Sequence, residues 1–477
     1  MIVPGVGSAV AMPGTEAGAS WSLPNDVIAV VARIEANLRP RWVVWDRDTA
    51  TELIRGAVRV SKCWDIAAVQ RLLVGGWRMD PARAWAELHD LDADLPVITQ
   101  ADLFTEVVDD PNPDEPVRPD GYLKPEWLAA DFSWTAARLL RWAEVAVQTA
   151  GLQSDRLRAL LDRPKALSTA HSESAAELLC AELSADGLPM DRQVAEDIIS
   201  SFVGSRPRTE AEAAEMRRAR DLEVLQHTSM PNCDLRNPAQ VKSLLRSIGV
   251  ELPDTRARRL EAIRDSHPLI EALLEWRKSE RIATTFGYAW LDEHLGPDGR
   301  LRGTWSASDG AAGRMTASAG LHNMPSQLRP AVLAERDRVF VRADLGQIEP
   351  RILASVSADR SLAEATQRED MYAPVAEQLG VDRATAKVAV LGAMYGQTTG
   401  HGAAALRGLE KAYPVAMRYL DEADRAGQVG RNLRTDGGRL IRLAFADPLQ
   451  SGDRESRSRA AAQGRYARNA MVQGAAA

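Results

Sequence analysis

Cysteine is scarce in this chain of 477 residues: Cys63, Cys180 and Cys233 are the only three, far apart and without metal-ligand spacing. That excludes a disulfide scaffold and a zinc-ribbon type of site, and it fits a reducing cytoplasm. Aromatic residues make up only 5%, and no run of about 18 apolar residues offers a membrane span. Lysine is rare too, seven of the 59 basic residues, so each lysine stands out against a background of arginine. The first twenty residues lack a basic start followed by a solid hydrophobic stretch, which argues against a secretion signal, and they read as a loose leader. No internal repeat is visible. The expectation is a soluble cytoplasmic protein with no membrane partner, too long for one core and divided into two to four compact units.

Charge is present but unevenly spread. Residues 1–150 hold 22 acidic and 14 basic side chains, whereas the rest hold 44 and 45, within an overall balance of -7. The stretch Arg431 to Arg468 carries nine arginines against four acids, which suits phosphate contact and equally suits a solvated surface.

Along the chain, a first unit runs to about residue 165. It has a strand-like run from Arg41 to Trp45, a helical pattern from Thr49 to Ile54, and CWDIAAVQRLL as a second helix. The acidic, proline-rich segment from Val107 to Pro119 reads as a surface loop. Helical patterns cover Ser172 to Ile199 and Glu210 to Gln226, and NPAQVKSLLRSIG is a helix with Asn237 as N-cap, Pro238 at its first position and Gly249 past its end. After Gly299 the character turns mixed: GTWSASDGAAGRMT, then a strand-like VFVRADL, then helices in ILASVS, SLAEATQ and RATAKVAVLGAMYG.

Three constellations carry chemistry. In VFVRADLGQIEPRILA an apolar strand is expected to end on Asp344, with Glu349 following; a carboxylate at a strand end can hold Mg²⁺, and it can also simply cap a turn. In RATAKVAVLGAMYG, steps of four place Arg383, Lys387, Leu391 and Tyr395 on one helix face. Two cations followed by a ring could grip a triphosphate and brace a base, although a basic-rimmed amphipathic helix gives the same stripe. In GRYARNAMVQGAAA, Arg465, Asn469 and Gln473 again fall at steps of four, with side chains able to reach base edges and sugars.

Taken in order, these segments resemble the bacterial DNA polymerase I family, family A. DLGQIEPR is similar to the family's palm motif DYSQIELR, and RATAKVAVLGAMYG to its fingers helix R-x3-K-x3-F-G-x2-Y-G. RYARNAMVQGAAA is similar to the later R-x3-N-x3-Q-G helix, and AGRMT and LHNMP to the TGRLS and LQNIP segments. The resemblance covers about residues 172 to 477.

It implies an α+β multidomain protein: a degenerate ribonuclease H-like exonuclease domain over 1–165, a helical thumb over 166–295, palm over 296–365 and 456–477, and fingers over 366–455. It further implies a monomer acting on primer-template DNA and deoxynucleoside triphosphates with two Mg²⁺ ions. Asp344 and the Leu345 carbonyl would meet the metals. Glu349 would exclude a ribose hydroxyl. Arg383 and Lys387 would hold the triphosphate, with Gln347, Leu391 and Tyr395 around the nucleotide. Arg314, Asn323, Arg465, Asn469 and Gln473 would contact primer and template.

Several positions depart from the pattern. Leu391 stands where the family has an aromatic ring, Tyr372 where a histidine is usual, and Pro350 where a leucine is usual. The closing His-Asp-Glu motif is not found before Ala477, so the resemblance implies an incomplete palm and impaired synthesis, or a relic that binds primer-template DNA without extending it. At the front, Asp48 and Asp65 keep the spacing of two exonuclease aspartates, but no paired D-x-E is found and Trp134 to Arg138 replaces a Y-x3-D motif, so no nuclease is expected.

Overall fold

A computed structural model describes residues 2–3, 7–11, 18–21, 24–76, 79–94, 112–129, 132–309, 312–396, 402–443 and 454–476. The chain divides into two compact units, one formed by residues 1–185, 305–316 and 343–477 and the other by 186–304 and 317–342. Among the described residues no helix is long and apolar enough to cross a membrane.

The first unit begins with a small antiparallel sheet of Ile2–Val3, Gly7–Ala11 and Gly18–Trp21, so the expected loose leader holds strands. Small residues pair there, Ala9 opposite Ser20 and Val10 opposite Ala19. Next come the helix Pro24–Leu38 and two parallel strands, Trp42–Val44 and Cys63–Asp65, in the register Val43 to Trp64. Parallel strands need a crossover, and the helix Arg47–Arg55 lies within it. Residues 63–65, expected as the start of a helix, are strand. Asp65 ends that strand and caps the helix Ile66–Val74, accepting from the Ala68 N–H at 2.8 Å. The helix therefore cannot begin earlier. Trp64, Val69, Leu72, Ala146 and Leu157 close the core around these elements. Gln153 satisfies its buried polar groups through the Trp64 indole N–H at 2.8 Å and the Ile66 carbonyl at 2.9 Å.

Of the expected acidic loop, residues 107–111 lie outside the described part. Asp114 and Glu115 are ion-paired to Arg138 and Arg141 of the helix Ala136–Arg158, each at 2.6 Å.

The later part of this unit is helical: Ile348–Ser357, Arg360–Ala365, Tyr372–Leu379, Arg383–Met394, Gly402–Ala412, Pro414–Gln428 and Arg454–Ala476. Their shared core includes Leu353, Met371, Val375, Ala389, Val390, Met394, Leu420 and Val472. Buried Asp359 caps two helices at once, accepting from the N–H groups of Leu362, Val415 and Ala416, each at 3.0 Å. The last two helices meet at Gly427, where a Cβ would come within 2.7 Å of Ala467 and of Gly464. Only glycine allows that approach.

The second unit is a helical body. Leu244, Leu260, Leu269, Ile270 and Leu273 fill one core, and Ile199, Phe286, Leu291, Leu301 and Leu328 fill another. Asn237 caps Pro238–Ser247 as its sequence required, accepting from the N–H groups of Ala239 and Gln240.

The expected strand VFVRADL is not formed. Residues 338–345 have no regular structure, and Val339, Val341 and Leu345 are 83%, 91% and 75% exposed. A strand exists only by sharing its hydrogen bonds with a neighbour, and no strand among the described residues pairs with this one.

Candidate functional site

The helix Arg383–Met394 is started by Asp382, whose side chain accepts from the Thr385 N–H at 2.9 Å. Its inner face is Ala386, Ala389, Val390, Ala393 and Met394, all buried. The four-residue stripe therefore faces outward: Arg383 and Lys387 are exposed, Leu391 is half-buried, and Tyr395 sits at the C-cap with its ring part-exposed.

Tyr395 donates its hydroxyl hydrogen to Glu349 Oε2 at 2.8 Å, and Gln473 Nε2 donates to Glu349 Oε1 at 3.2 Å. One carboxylate thus ties the first turn of Ile348–Ser357 to the end of the Arg383 helix and to the last helix. Burial, followed by the Glu349 bond and charge, pushes the Tyr395 phenol up, while the nearby Arg314 charge opposes this. Gly396, at φ 67°, leaves room for Arg465: a Cβ there would lie 2.6 Å from its Cγ.

A second knot adjoins the first through the turn before Glu349. Gln347 is left-handed at φ 60°. Its amide oxygen accepts from the Met371 N–H at 2.9 Å, and its Nε2 donates to Asp370 at 3.2 Å. Asp370 also receives Arg383. Sequence reasoning gave Asp370 no role, although it stands two positions before the departure at Tyr372.

The structure therefore brings Gln347, Glu349, Arg383, Tyr395 and Gln473 into bonded groups. Lys387 and Leu391 share their face, and Arg314 is within electrostatic reach. Asn469 has a buried Oδ1 with no hydrogen-bond partner. Asn323 is exposed in the second unit, at the end of the turn Leu321–Asn323, with its carbonyl accepting from Arg281 at 2.8 Å.

Asp344 and Leu345 are exposed in the unpaired segment. A divalent ion such as Mg²⁺ needs several oxygen ligands. Among the described residues no group of three His, Cys, Asp or Glu side chains is placed to hold one, so these residues do not make up a two-ion site.

The front of the first unit holds a different cluster, in a polar cavity of about 370 Å³ lined by Asp46, Asp48, Asp65, Glu177, Arg47 and Arg71. Asp65 is fully buried, and desolvation pushes its carboxyl up to about 8. Desolvation also raises Asp46 and Glu177, with Arg71 beside Glu177 opposing the latter shift. Asp46 was missed from sequence, although a carboxylate directly after the apolar run Trp42 to Trp45 was the signal for it.

The chain as a whole has relatives among known proteins. A solved structure, the POL domain of Pol1 from M. smegmatis in complex with DNA primer-template and dNTP, matches at a TM-score of 0.62 and 20% identity, over 98% of this chain and 79% of that one. The fold is thus that of a polymerase domain, helix-rich with few strands. DNA polymerase I of Chloroflexus aurantiacus is 31% identical over 247 residues, 46% of this chain and 25% of that protein. The thermostable DNA polymerase I of Thermus aquaticus is 30% identical over 161 residues, 30% of this chain and 19% of its own length. The matched stretch thus spans a quarter or less of these two relatives. The family model for DNA polymerase family A matches residues 213–477, which is more than half of the sequence and contains every element of the Arg383–Glu349–Gln473 site, so the chain belongs to DNA polymerase family A.

Proposed function

We propose that this chain serves template-directed DNA synthesis, holding a primer-template duplex and an incoming deoxynucleoside triphosphate while the primer 3′ end is extended. The observation that carries this reading is the pair of Glu349 bonds, from Tyr395 and Gln473, set at one end of a helix face whose other end presents two exposed cations. Arg383 and Lys387 meet the phosphates, where charge-assisted contacts are strongest. Gln347, Leu391 and Tyr395 border the nucleoside, and Glu349 occupies the place where a ribose 2′ hydroxyl would intrude. Arg314, Asn323, Arg465, Asn469 and Gln473 are the duplex contacts. Minor-groove acceptors are shared among base pairs, so such contacts check shape rather than sequence. The solved neighbour's primer-template and dNTP support the same pairing of ligands.

In this reading residues 1–165 are an exonuclease-like domain without nuclease activity, since Arg47 and Arg71 stand among its carboxylates. Residues 166–295 form the thumb, 296–365 and 456–477 the palm, and 366–455 the fingers. The protein acts as a cytoplasmic monomer. Asp344 with the Leu345 carbonyl is the proposed point of contact for Mg²⁺.

A second reading, a primer-template-binding relic without synthesis, is favoured by one observation: among the described residues no group of three His, Cys, Asp or Glu side chains, at Asp344 or elsewhere, is placed to hold a metal. Primer extension by the purified chain with Mg²⁺ and four deoxynucleotides, beside Asp344→Ala, separates the two. Extension that the variant loses supports synthesis. Retained duplex binding without extension supports the relic, and absence of duplex binding contradicts both.

A further inference from the structure

Asp370 lies just ahead of the helix Tyr372–Leu379, and its carboxylate receives four donors from three directions. Arg383 supplies two, through Nε and through Nη2 at 3.2 Å. Gln347 Nε2 supplies a third at 3.2 Å, and the Tyr372 backbone N–H a fourth at 3.1 Å. The Tyr372 ring is buried and lies 5.7 Å from the Arg383 guanidinium carbon, within cation–π range. The guanidinium of an exposed arginine is thereby fixed in plane and position. Its Nη1 makes no hydrogen bond among the described residues, and the Arg383 side chain is 55% exposed. Lys387, one turn further along, has no bonded partner among the described residues to hold it. The Arg383 guanidinium beside it keeps the Asp370 carboxyl below the usual carboxylate range, so the anchor stays charged at neutral pH.

A long cation on a helix surface loses rotamer freedom when it seizes a ligand, at a cost of about 0.5–1.5 kcal/mol for each side chain ordered. A planar fork already bonded along one edge has lost that freedom before the ligand arrives. The same carboxylate joins the fork to Gln347, and thus to the turn that follows Asp344 and precedes Glu349.

We propose that Asp370 is a positioning residue of the nucleotide site: it holds Arg383 with the Nη1 edge free for a phosphate of the incoming triphosphate and couples that cation, through Gln347, to the Asp344–Glu349 turn. This rests on the reading of Arg383 and Lys387 as the triphosphate grip. The opposite arrangement, in which Asp370 competes with the phosphate for Arg383, would make its removal favourable to binding, so the sign of the effect decides.

The test is the dissociation constant of a fluorescent deoxynucleoside triphosphate from the full chain bound to primer-template DNA. It is measured for Asp370→Ala, Asp370→Asn, Arg383→Ala and the double alanine variant, with duplex affinity and thermal midpoint recorded for each. Asp370→Ala is expected to weaken nucleotide binding about three- to tenfold, the range set by ordering one such side chain. Asp370→Asn, which keeps an acceptor, should recover part of the loss. The double variant should bind no worse than Arg383→Ala alone, with duplex affinity unchanged throughout. Unchanged or tighter binding by Asp370→Ala, or losses that simply add in the double variant, would overturn the proposal while leaving the grip intact. If Arg383→Ala itself binds nucleotide as well as the parent, the grip reading falls, and the positioning role with it.

Discussion

Two carboxylate clusters in the first unit face opposite conditions. In the front cavity Asp46, Asp65 and Glu177 are desolvated, and all three hold their protons more tightly than usual. Two arginines, Arg47 and Arg71, stand among them and offset part of the negative charge. Around the Arg383 helix, Glu349 and Asp370 are only partly buried, and Asp370 gives up its proton more readily than usual. There the carboxylates act as acceptors that aim neighbouring donors. Burial thus turns one set into a closed structural lock, and exposure leaves the other able to order side chains that an incoming anion can meet.

The comparison breaks most severely at Glu177. Glu177→Ala removes the carboxylate paired with Arg71 at 2.5 Å and with Arg47 at 3.9 Å, and loss of one partner from a buried pair costs about 3–5 kcal/mol. Denaturant unfolding should show a loss of that order, while nucleotide binding by the folded fraction is retained; a loss below about 1 kcal/mol would mean the lock is not one. At the exposed cluster the expectation reverses. Lys387→Ala should leave unfolding within about 0.5 kcal/mol of the parent yet weaken triphosphate binding roughly tenfold or more, as expected for one charge-assisted contact. An equal loss of duplex affinity would misplace the stripe.

Asp65 sharpens the contrast through pH. Its folded value of about 8 lies far above the ordinary 3.8, so the folded state keeps a proton that the unfolded state has released. The stabilisation is full below about pH 4 and is lost as pH rises towards 8. Asp65→Asn keeps the acceptor for the Ala68 N–H but cannot titrate, so its thermal midpoint should fall less than the parent's between those limits. Parallel pH profiles would remove the buried, protonated aspartate from the account. The smallest effect is expected at Val341. Its exposure of 91% predicts that Val341→Asp changes stability by no more than about 0.5 kcal/mol, whereas a large loss in chemical denaturation would show that the segment is paired after all.

How much of this was legible beforehand follows the same physics. The helices around Arg383, Asn237 and Gln473 could be read because a helix satisfies its own backbone and announces its face by spacing. The apolar run before Asp344 predicts a strand, but a strand needs a neighbour that local pattern does not reveal, and Val339 and Val341 face solvent instead. Asp46 and Glu177 sit 131 positions apart in sequence, so their shared cavity had no local signature. Asp370 likewise gained its meaning only when Gln347 and Arg383 converged on it.

The most direct measurement is the affinity of each of the four deoxynucleoside triphosphates for the chain bound to one primer-template, with the templating base varied. The account predicts that the complementary nucleotide binds tightest for every template and that Lys387→Ala weakens it. Equal affinity for all four, whatever the template, would contradict template-directed synthesis at this site.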